Sequence, residues 1–147
     1  MTTSTDNGDR VGRLFDGVWN GEDPGVADEL VDPAYVIHDR ELAEELRGPE
    51  LYRALADGTR AVFPDMRFAV DDVLVDDDRV AVRWTMTGTH QGPMFGLEPT
   101  GREVRLPGLE IDRFEEGRLV ETWTRSDMLG LAEQLGAVPW AGKSSSG

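Results

Sequence analysis

Three titratable residues beside apolar segments could do chemistry. Asp127 stands between a strand-like and a helical segment, Glu110 lies in the middle of a strand-like segment, and His38 ends a short apolar run. Carboxylates and imidazoles carry out general acid–base catalysis, in which a proton moves to or from a reacting group. These three residues are the predicted catalytic residues if the chain is an enzyme.

Each of the three residues also has an explanation without chemistry. Asp127 stands where a helix N-cap is expected, and a capping aspartate stabilises a helix by roughly 1 kcal/mol. Glu110 can form an ion pair on the outer face of its strand, and His38 can be a structural hydrogen-bond partner. Strand parity, however, puts Asp127 on a face with Leu119 and Trp123, where apolar surroundings would raise its pKa. Capping and catalysis are therefore both open for Asp127.

The position of Glu110 depends on the hairpin that follows it. A two-residue loop at 116–117 would place Glu110 opposite Trp123, on the face of Asp127. The same register would set Asp112 against another acidic residue, which is an unfavourable pair. The register is therefore not settled by the sequence.

The sequence lacks the residues and motifs that several other classes of enzyme reaction require. The chain has no cysteine and only two histidines, which argues against a thiolate nucleophile and a catalytic zinc site. We find no phosphate-binding loop, dinucleotide fingerprint or serine-nucleophile elbow in the sequence. We therefore expect no metal and no cofactor.

Composition and charge limit the kinds of partner that the protein can bind. The 147 residues, 39% of them hydrophobic, predict a single domain over 1–147 with loose tails at 1–9 and 141–147. A net charge of -14 would repel phosphate backbones and anionic membranes, so we expect neither nucleic acid nor a membrane as partner. The polar N-terminus and the lack of a long apolar run predict a cytoplasmic protein. The acidity and the single lysine fit a salt-adapted host or a high-GC genome equally.

Helical spacing comes first along the chain and strand alternation second. Helices are predicted at 10–19, 24–31, 48–63 and 127–136, and strands at 35–38, 66–75, 79–89, 102–114 and 118–126. This order predicts an α+β fold, a cone-shaped α+β barrel in which the N-terminal helices pack on a strongly curved antiparallel sheet. The open end of such a cone is a natural place for a small ligand.

Aromatic and apolar side chains are predicted to line this pocket, although most of them could equally be core. The predicted lining residues are Trp84, Trp123, Tyr35, Phe63, Met86 and Phe95. Phe95 belongs to a loop at 91–101 that is either a lid over the pocket or a plain strand connection. His90, just before this loop, is expected to be exposed or to stabilise the loop.

A series of short motifs runs through nearly the whole chain, from Arg10 to Pro139, in a fixed order. The motifs are Phe63-Pro64-Asp65, Gly88-Thr89-His90-Gln91-Gly92, Pro99-Thr100-Gly101-Arg102, Glu110-Ile111-Asp112-Arg113-Phe114, Gly117-Arg118, Glu121-Thr122-Trp123, and Asp127 followed by Gln134-Leu135-Gly136. With this series the chain resembles the SnoaL-like polyketide cyclases, within the nuclear-transport-factor-2-like or ketosteroid-isomerase-like fold.

The resemblance implies an activity, a site and an assembly. It implies a cofactor-free intramolecular aldol closure of a polyketide methyl ester, with Asp127 at the position of the acid/base. It also implies a homodimer formed through the sheet face away from the helices, where Arg83, Thr85 and Thr87 lie.

Two other functions fit the same fold. One is a non-catalytic protein that binds an apolar metabolite. A pocket lined only by apolar side chains would favour this function. The other is a related hydrolase or isomerase such as an epoxide hydrolase, which needs an acid, a base and an arginine around one water. Convergence of Asp127, Glu110 and His38 in a deep pocket would favour an enzyme over a binding protein.

Overall fold

The computed structural model describes residues 3–38 and 46–137, so the predicted tail at 141–147 lies outside the described residues. The elements in chain order are α1 (Thr3–Leu14), a π-helical turn (Phe15–Trp19), α2 (Val26–Leu30), β1 (Val31–His38), α3 (Gly48–Val62), β2 (Arg67–Asp76), β3 (Arg79–Thr89), β4 (Glu103–Glu115), β5 (Arg118–Ser126) and α4 (Met128–Leu135). The predicted α+β order of helices before long strands is confirmed.

The five strands form one open sheet in the order β1-β5-β4-β3-β2. The four long strands pair antiparallel, as predicted, through two hairpins and the β3–β4 connection. The short strand β1 instead lies parallel to β5, so the sheet is mixed rather than wholly antiparallel. A parallel partner is possible here because the whole of α3 and three strands separate β1 from β5 in the sequence.

Local chemistry sets the ends of the helices that flank the sheet. Pro49 occupies the first turn of α3, where its missing N–H costs nothing. The preceding Gly48 has φ +69°, and a Cβ there would lie 2.7 Å from the carbonyl oxygen of Pro33. Asp127 caps the N-terminus of α4, and Gly136 ends it with φ +77°.

The predicted N-terminal tail is instead mostly helical. Helix α1 begins at Thr3, so residues 3–9 belong to it. Asn7 is fully buried, and its Nδ2 donates to the carbonyl oxygen of Asp77 at 3.4 Å in the β2–β3 turn. This contact attaches the start of the chain to the sheet, which the polar composition of the segment did not suggest.

A single β-bulge decides which side chains of β5 face inward. The hairpin loop has two residues, 116–117, both with positive φ as a tight turn requires. Val120 then stands unpaired, because Phe114 pairs with Leu119 whereas Arg113 pairs with Glu121. Beyond the bulge, Glu110 lies opposite Thr124 and not opposite Trp123. The two-residue loop considered from the sequence is therefore present, and the bulge shifts the register by one residue from the one that such a loop alone would give.

The core lies between the helices and the inner face of the sheet. The predicted alternation of β3 is confirmed, with Val80, Val82, Trp84 and Met86 all buried. Buried side chains of α1 and α3, among them Val11, Leu14, Leu51 and Tyr52, belong to the same core cluster. No helix in the described part of the chain is both long and apolar enough to span a membrane.

Candidate active site

A cavity lies between the helices and the inner face of the sheet. Its free volume is about 60 Å³. The residues that line it are Phe15, Trp19, Tyr35, Ile37, Tyr52, Leu55, Thr59, Phe68, Trp84, Met86, Leu106, Glu110, Thr122 and Thr124. Six of these fourteen are aromatic, and Glu110 is the one carboxylate among them.

Two carboxyl groups face inward from the middle of β4. Glu110 and Asp112 alternate with Leu109 and Ile111, which are 60% and 41% exposed on the outer face. Glu110 reaches the cavity, whereas Asp112 lies behind it and is only 2% exposed. The two carboxyl groups are close enough for each to shift the pKa of the other through a hydrogen bond. Since two carboxylates cannot share a hydrogen bond, such a bond requires at least one proton on the pair.

Burial makes both carboxyl groups weak acids. It is the main cause that raises the pKa of Glu110 well above its usual range, and the nearby Asp112 raises it further. Burial also raises the pKa of Asp112 to about 6, against two hydrogen bonds that favour its charged form. The bond between the two groups raises the pKa of Glu110 and lowers that of Asp112. The shared proton therefore prefers Glu110, the group that faces the cavity.

Polar neighbours hold Asp112 in place. Thr122 lies opposite it on β5, and its hydroxyl donates to Asp112 Oδ1 at 2.8 Å. The hydroxyl of Tyr35 on β1 is close enough to Thr122 for this neighbour to lower its pKa. Burial outweighs that contact and keeps the pKa of Tyr35 well above its usual range, so its hydroxyl stays protonated. Polar groups therefore follow one another from the cavity wall to the carboxyl pair.

The six aromatic side chains of the cavity wall come from five different elements. Trp19 packs 5.0 Å from Phe68, centroid to centroid, and Phe68 packs 5.2 Å from Trp84. Trp19 Nε1 donates to the hydroxyl of Tyr52 at 2.9 Å. These rings present flat apolar surfaces on either side of a single acid, a combination suited to an unsaturated carbonyl compound.

Asp127, predicted at the inner end of the pocket, does not line the cavity. It is exposed, and its Oδ1 accepts a hydrogen bond from the backbone N–H of Gly130 at 2.9 Å. The predicted capping role is confirmed. The bulge at Val120 explains the misplacement, because it moves Asp127 off the face that Leu119 shares with the core.

Trp123 and His38 lie on the outer face of the sheet and not in the cavity. Trp123 pairs with the exposed Ile111. The His38 ring stacks on Trp123 at 5.0 Å, and its Nε2 lies 2.8 Å from Glu121 Oε2. Glu121 also pairs with Arg113, so these residues form a polar and aromatic cluster outside the predicted pocket. Neither of the other two predicted catalytic residues therefore lines the cavity that Glu110 reaches.

Phe63 and Phe95 lie elsewhere as well. Phe63 is buried below the cavity wall against His90, and Phe95 is 42% exposed in the loop. His90 is fully buried rather than exposed, and its Nδ1 accepts from the backbone N–H of Thr100 at 3.1 Å. The expectation that His90 stabilises the loop is confirmed. Of the predicted lining residues, Trp84, Tyr35 and Met86 lie on the cavity wall.

Three residues belong to the site but were not predicted from the sequence, namely Asp112, Thr122 and Tyr52. The signal for Asp112 was present, since it is two residues from Glu110 and two from the apolar Phe114 on one strand face. Tyr52 and Thr122 carry no such signal, because only the packing of α3 and the bulge in β5 bring them to the cavity. In the described part of the chain, no three His, Asp or Glu side chains cluster as a metal site would require.

Comparison with known proteins agrees with this architecture. The sequence model of the SnoaL-like polyketide cyclases matches residues 9–135. A curated relative, the aklanonic acid methyl ester cyclase AcmA of Streptomyces galilaeus, is 28% identical over 132 residues, which are 88% of this chain and 90% of the relative.

Solved structures show the same fold. IdmH of Streptomyces antibioticus, provisionally assigned as a polyketide cyclase, is 34% identical with a TM-score of 0.75, covering 88% of this chain and 98% of its own. AclR of Streptomyces galilaeus, provisionally assigned as a hydroxylase, is 29% identical with a TM-score of 0.78, covering 93% and 89%. The resemblance noted in the sequence is thus confirmed, and the chain belongs to the SnoaL-like polyketide cyclase family.

Proposed function

We propose that this protein closes a ring in a polyketide-like carbonyl compound by an intramolecular aldol reaction, without a cofactor. The observation that carries the proposal is the Glu110–Asp112 pair at the wall of an aromatic cavity. Aldol closure needs one group that takes a proton next to a carbonyl and returns it to the new alkoxide. A carboxyl pair that shares one proton can do both.

The Glu110–Asp112 pair can take up and return every proton that the reaction moves. The reactive form is the less populated one, with the shared proton on Asp112, in which the Glu110 carboxylate removes a proton from the carbon beside the substrate carbonyl. The resulting enolate carbon attacks a second carbonyl carbon of the same molecule, and a carbon–carbon bond forms. Glu110 then gives its proton to the alkoxide oxygen, so the product is an isomer of the substrate. Burial supports this use of Glu110, because it brings the acidity of the group closer to that of its reaction partners.

The size of the cavity sets a condition on the substrate. A free volume of about 60 Å³ is smaller than a multi-ring polyketide needs. Trp19 and Ile37 are only partly buried on the cavity wall, so they are the side chains that can move outward on binding. The proposal therefore includes a widening of the cavity at these two residues.

The substitution Glu110→Gln tests the pair. The test substrate is aklanonic acid methyl ester, after which curated relatives are named, and the cyclised isomer is measured by chromatography. We expect E110Q to lose roughly two or more orders of magnitude in turnover, while Glu103→Gln, an exposed position on the same strand, keeps it. Full turnover by E110Q would show that the Glu110–Asp112 pair takes no part in the reaction. No turnover by the wild type would show that this ester is not the substrate.

The mostly apolar lining also fits the second function, a binding protein without catalysis. In that case E110Q and the wild type would bind an aromatic ketone equally and neither would change it. The hydrolase alternative needs an arginine beside the carboxylate, and the described cavity lining includes no arginine. We therefore keep the binding protein, and not the hydrolase, as the alternative.

The homodimer predicted from the resemblance belongs to the same proposal. Leu109, Ile111 and Trp123 surround an apolar concavity on the outer sheet face, and Arg83, Thr85 and Thr87 continue that face. Burying exposed apolar side chains against a second copy would stabilise the pair. Light scattering in moderate salt should give the dimer mass, because low salt strengthens repulsion between the acidic chains. A monomer mass at micromolar concentration would contradict it.

A further inference from the structure

One hydrogen-bond donor at the cavity has no acceptor. Trp84 Nε1 is buried and makes no hydrogen bond to the described residues, a situation it shares only with His90 Nε2 among them. Buried polar groups are nearly always paired, and an unpaired donor is costly. The indole N–H of Trp19, on the same cavity, is by contrast bonded to Tyr52. The unpaired donor therefore needs an explanation.

Packing fixes where this donor lies. Trp84 pairs directly with Gly108 across β3 and β4. The ring occupies the space that a side chain at 108 would take, since a Cβ there would lie 2.2 to 2.6 Å from the ring carbons Cζ2, Cη2 and Cε2. Nε1 is bonded to Cε2, so it is held against β4. Phe68 packs on the ring at 5.2 Å and limits its movement.

The next inward residue of β4 after Gly108 is Glu110. The N–H of Trp84 is close enough to the Glu110 carboxyl to favour the charged form of Glu110. The two groups do not, however, have the distance and angle of a hydrogen bond. A protonated Glu110 can donate a hydrogen bond from its own O–H to Asp112, so it has less need of an external donor. A charged Glu110 would need one.

We propose that Trp84 is a positioning residue whose indole N–H donates to the carboxylate of Glu110 once that group has lost its proton. This inference rests on the proposed role of Glu110. Burial and Asp112 oppose the carboxylate form of Glu110, and the base step requires it. A donor that is unpaired in the protonated state and paired in the charged state lowers the cost of each turnover.

The experiment follows the tryptophan indole N–H signals of the ¹⁵N-labelled protein by NMR through a pH titration, without substrate. The signal lost in Trp84→Phe identifies Trp84, and Trp19→Phe identifies the matched donor that is already occupied. We expect the Trp84 proton to move downfield as Glu110 ionises and the Trp19 proton to stay in place. In E110Q this response of Trp84 should vanish.

A second measurement follows Glu110 itself by the ¹³C signal of its carboxyl group. Trp84→Phe removes the donor and keeps an aromatic ring, so the midpoint of Glu110 should rise by about 1 pH unit. Trp19→Phe should leave the midpoint within about 0.3 pH unit. An unchanged midpoint in Trp84→Phe, or a wild-type Trp84 signal that ignores the titration, would overturn the inference. If Trp84→Phe does not fold, the Trp84 signal is the one that stays in Trp19→Phe, Trp123→Phe and Trp140→Phe alike, and the wild-type titration of that signal still decides the matter.

The outcomes separate this inference from the proposed function. If E110Q keeps its turnover but Trp84 responds to Glu110, the acid/base role fails and the positioning contact stands. If E110Q is inactive and Trp84 does not respond, the acid/base role stands and the positioning contact fails.

Discussion

A single methyl group at position 108 should disturb both the stability and the cavity of this protein. In Gly108→Ala the new Cβ would lie 2.2 Å from Trp84 Cζ2, well inside any van der Waals contact. The clash involves a rigid ring and a backbone held by strands on both sides, so neither partner can yield by a small rotation. The indole has to move away from β4.

The free space around the indole sets the size of the effect. Movement away from β4 leads the ring toward Phe68 and into the cavity of about 60 Å³. Overpacking a core typically costs about 1–3 kcal/mol, and available free volume keeps the cost within that range. The displaced ring should also fill the cavity, so ligand binding should fall by more than the loss of stability alone would explain.

Urea unfolding followed by tryptophan fluorescence measures this change. We expect G108A to lose about 1–3 kcal/mol in the free energy of unfolding. The matched control is Gly58→Ala in α3, where a Cβ meets nothing within 4 Å. That substitution should stabilise the protein by about 0.5–1 kcal/mol, because alanine is the better helix former. A G108A variant with wild-type stability and fluorescence would refute the placement of the indole against β4.

Two further substitutions test the carboxyl groups. Because burial raises the pKa of Asp112 to about 6, its protonated form favours folding, and that contribution is present below pH 4 and lost as the pH rises past 6. In urea unfolding, the free energy of unfolding of Asp112→Asn should rise relative to that of the wild type by up to about 3 kcal/mol between pH 4 and pH 8. A difference between the two proteins that does not change with pH would mean that Asp112 titrates normally. Asp127→Asn should keep both its melting temperature and its turnover, since asparagine caps as well as aspartate; a hundredfold loss of turnover at an unchanged melting temperature would move the acid/base role to Asp127.

The helices and strands could be predicted because each follows from a local pattern. The alternation of β3 and the Gly48-Pro49 start of α3 fixed those elements. The parallel pairing of β1 with β5 could not be predicted in this way, because it joins residues 85 to 88 positions apart in the sequence and leaves no local mark.

The candidate site was predicted only in part, and one residue explains most of the difference. Val120 forms the bulge that places Trp123 and Asp127 outside the cavity and Thr122 inside it. A bulge adds one residue to a strand without any change in composition, so a strict period of two misassigns every residue after it. Glu110 precedes the hairpin, and its inward position depends only on the uninterrupted alternation of β4.

The pair in β4 also shows why the cavity is better suited to chemistry than to storage. Two buried carboxyl groups destabilise a fold when no cation accompanies them, and the described lining supplies no lysine, arginine or histidine. An apolar residue at 110 would bind a flat ligand at least as well and would remove that cost. Acids are useful at this place if a proton has to be moved there, because burial gives Glu110 a pKa that suits transfer to and from a carbonyl compound. The cost in stability above pH 6 and the proposed proton transfer therefore have the same physical origin.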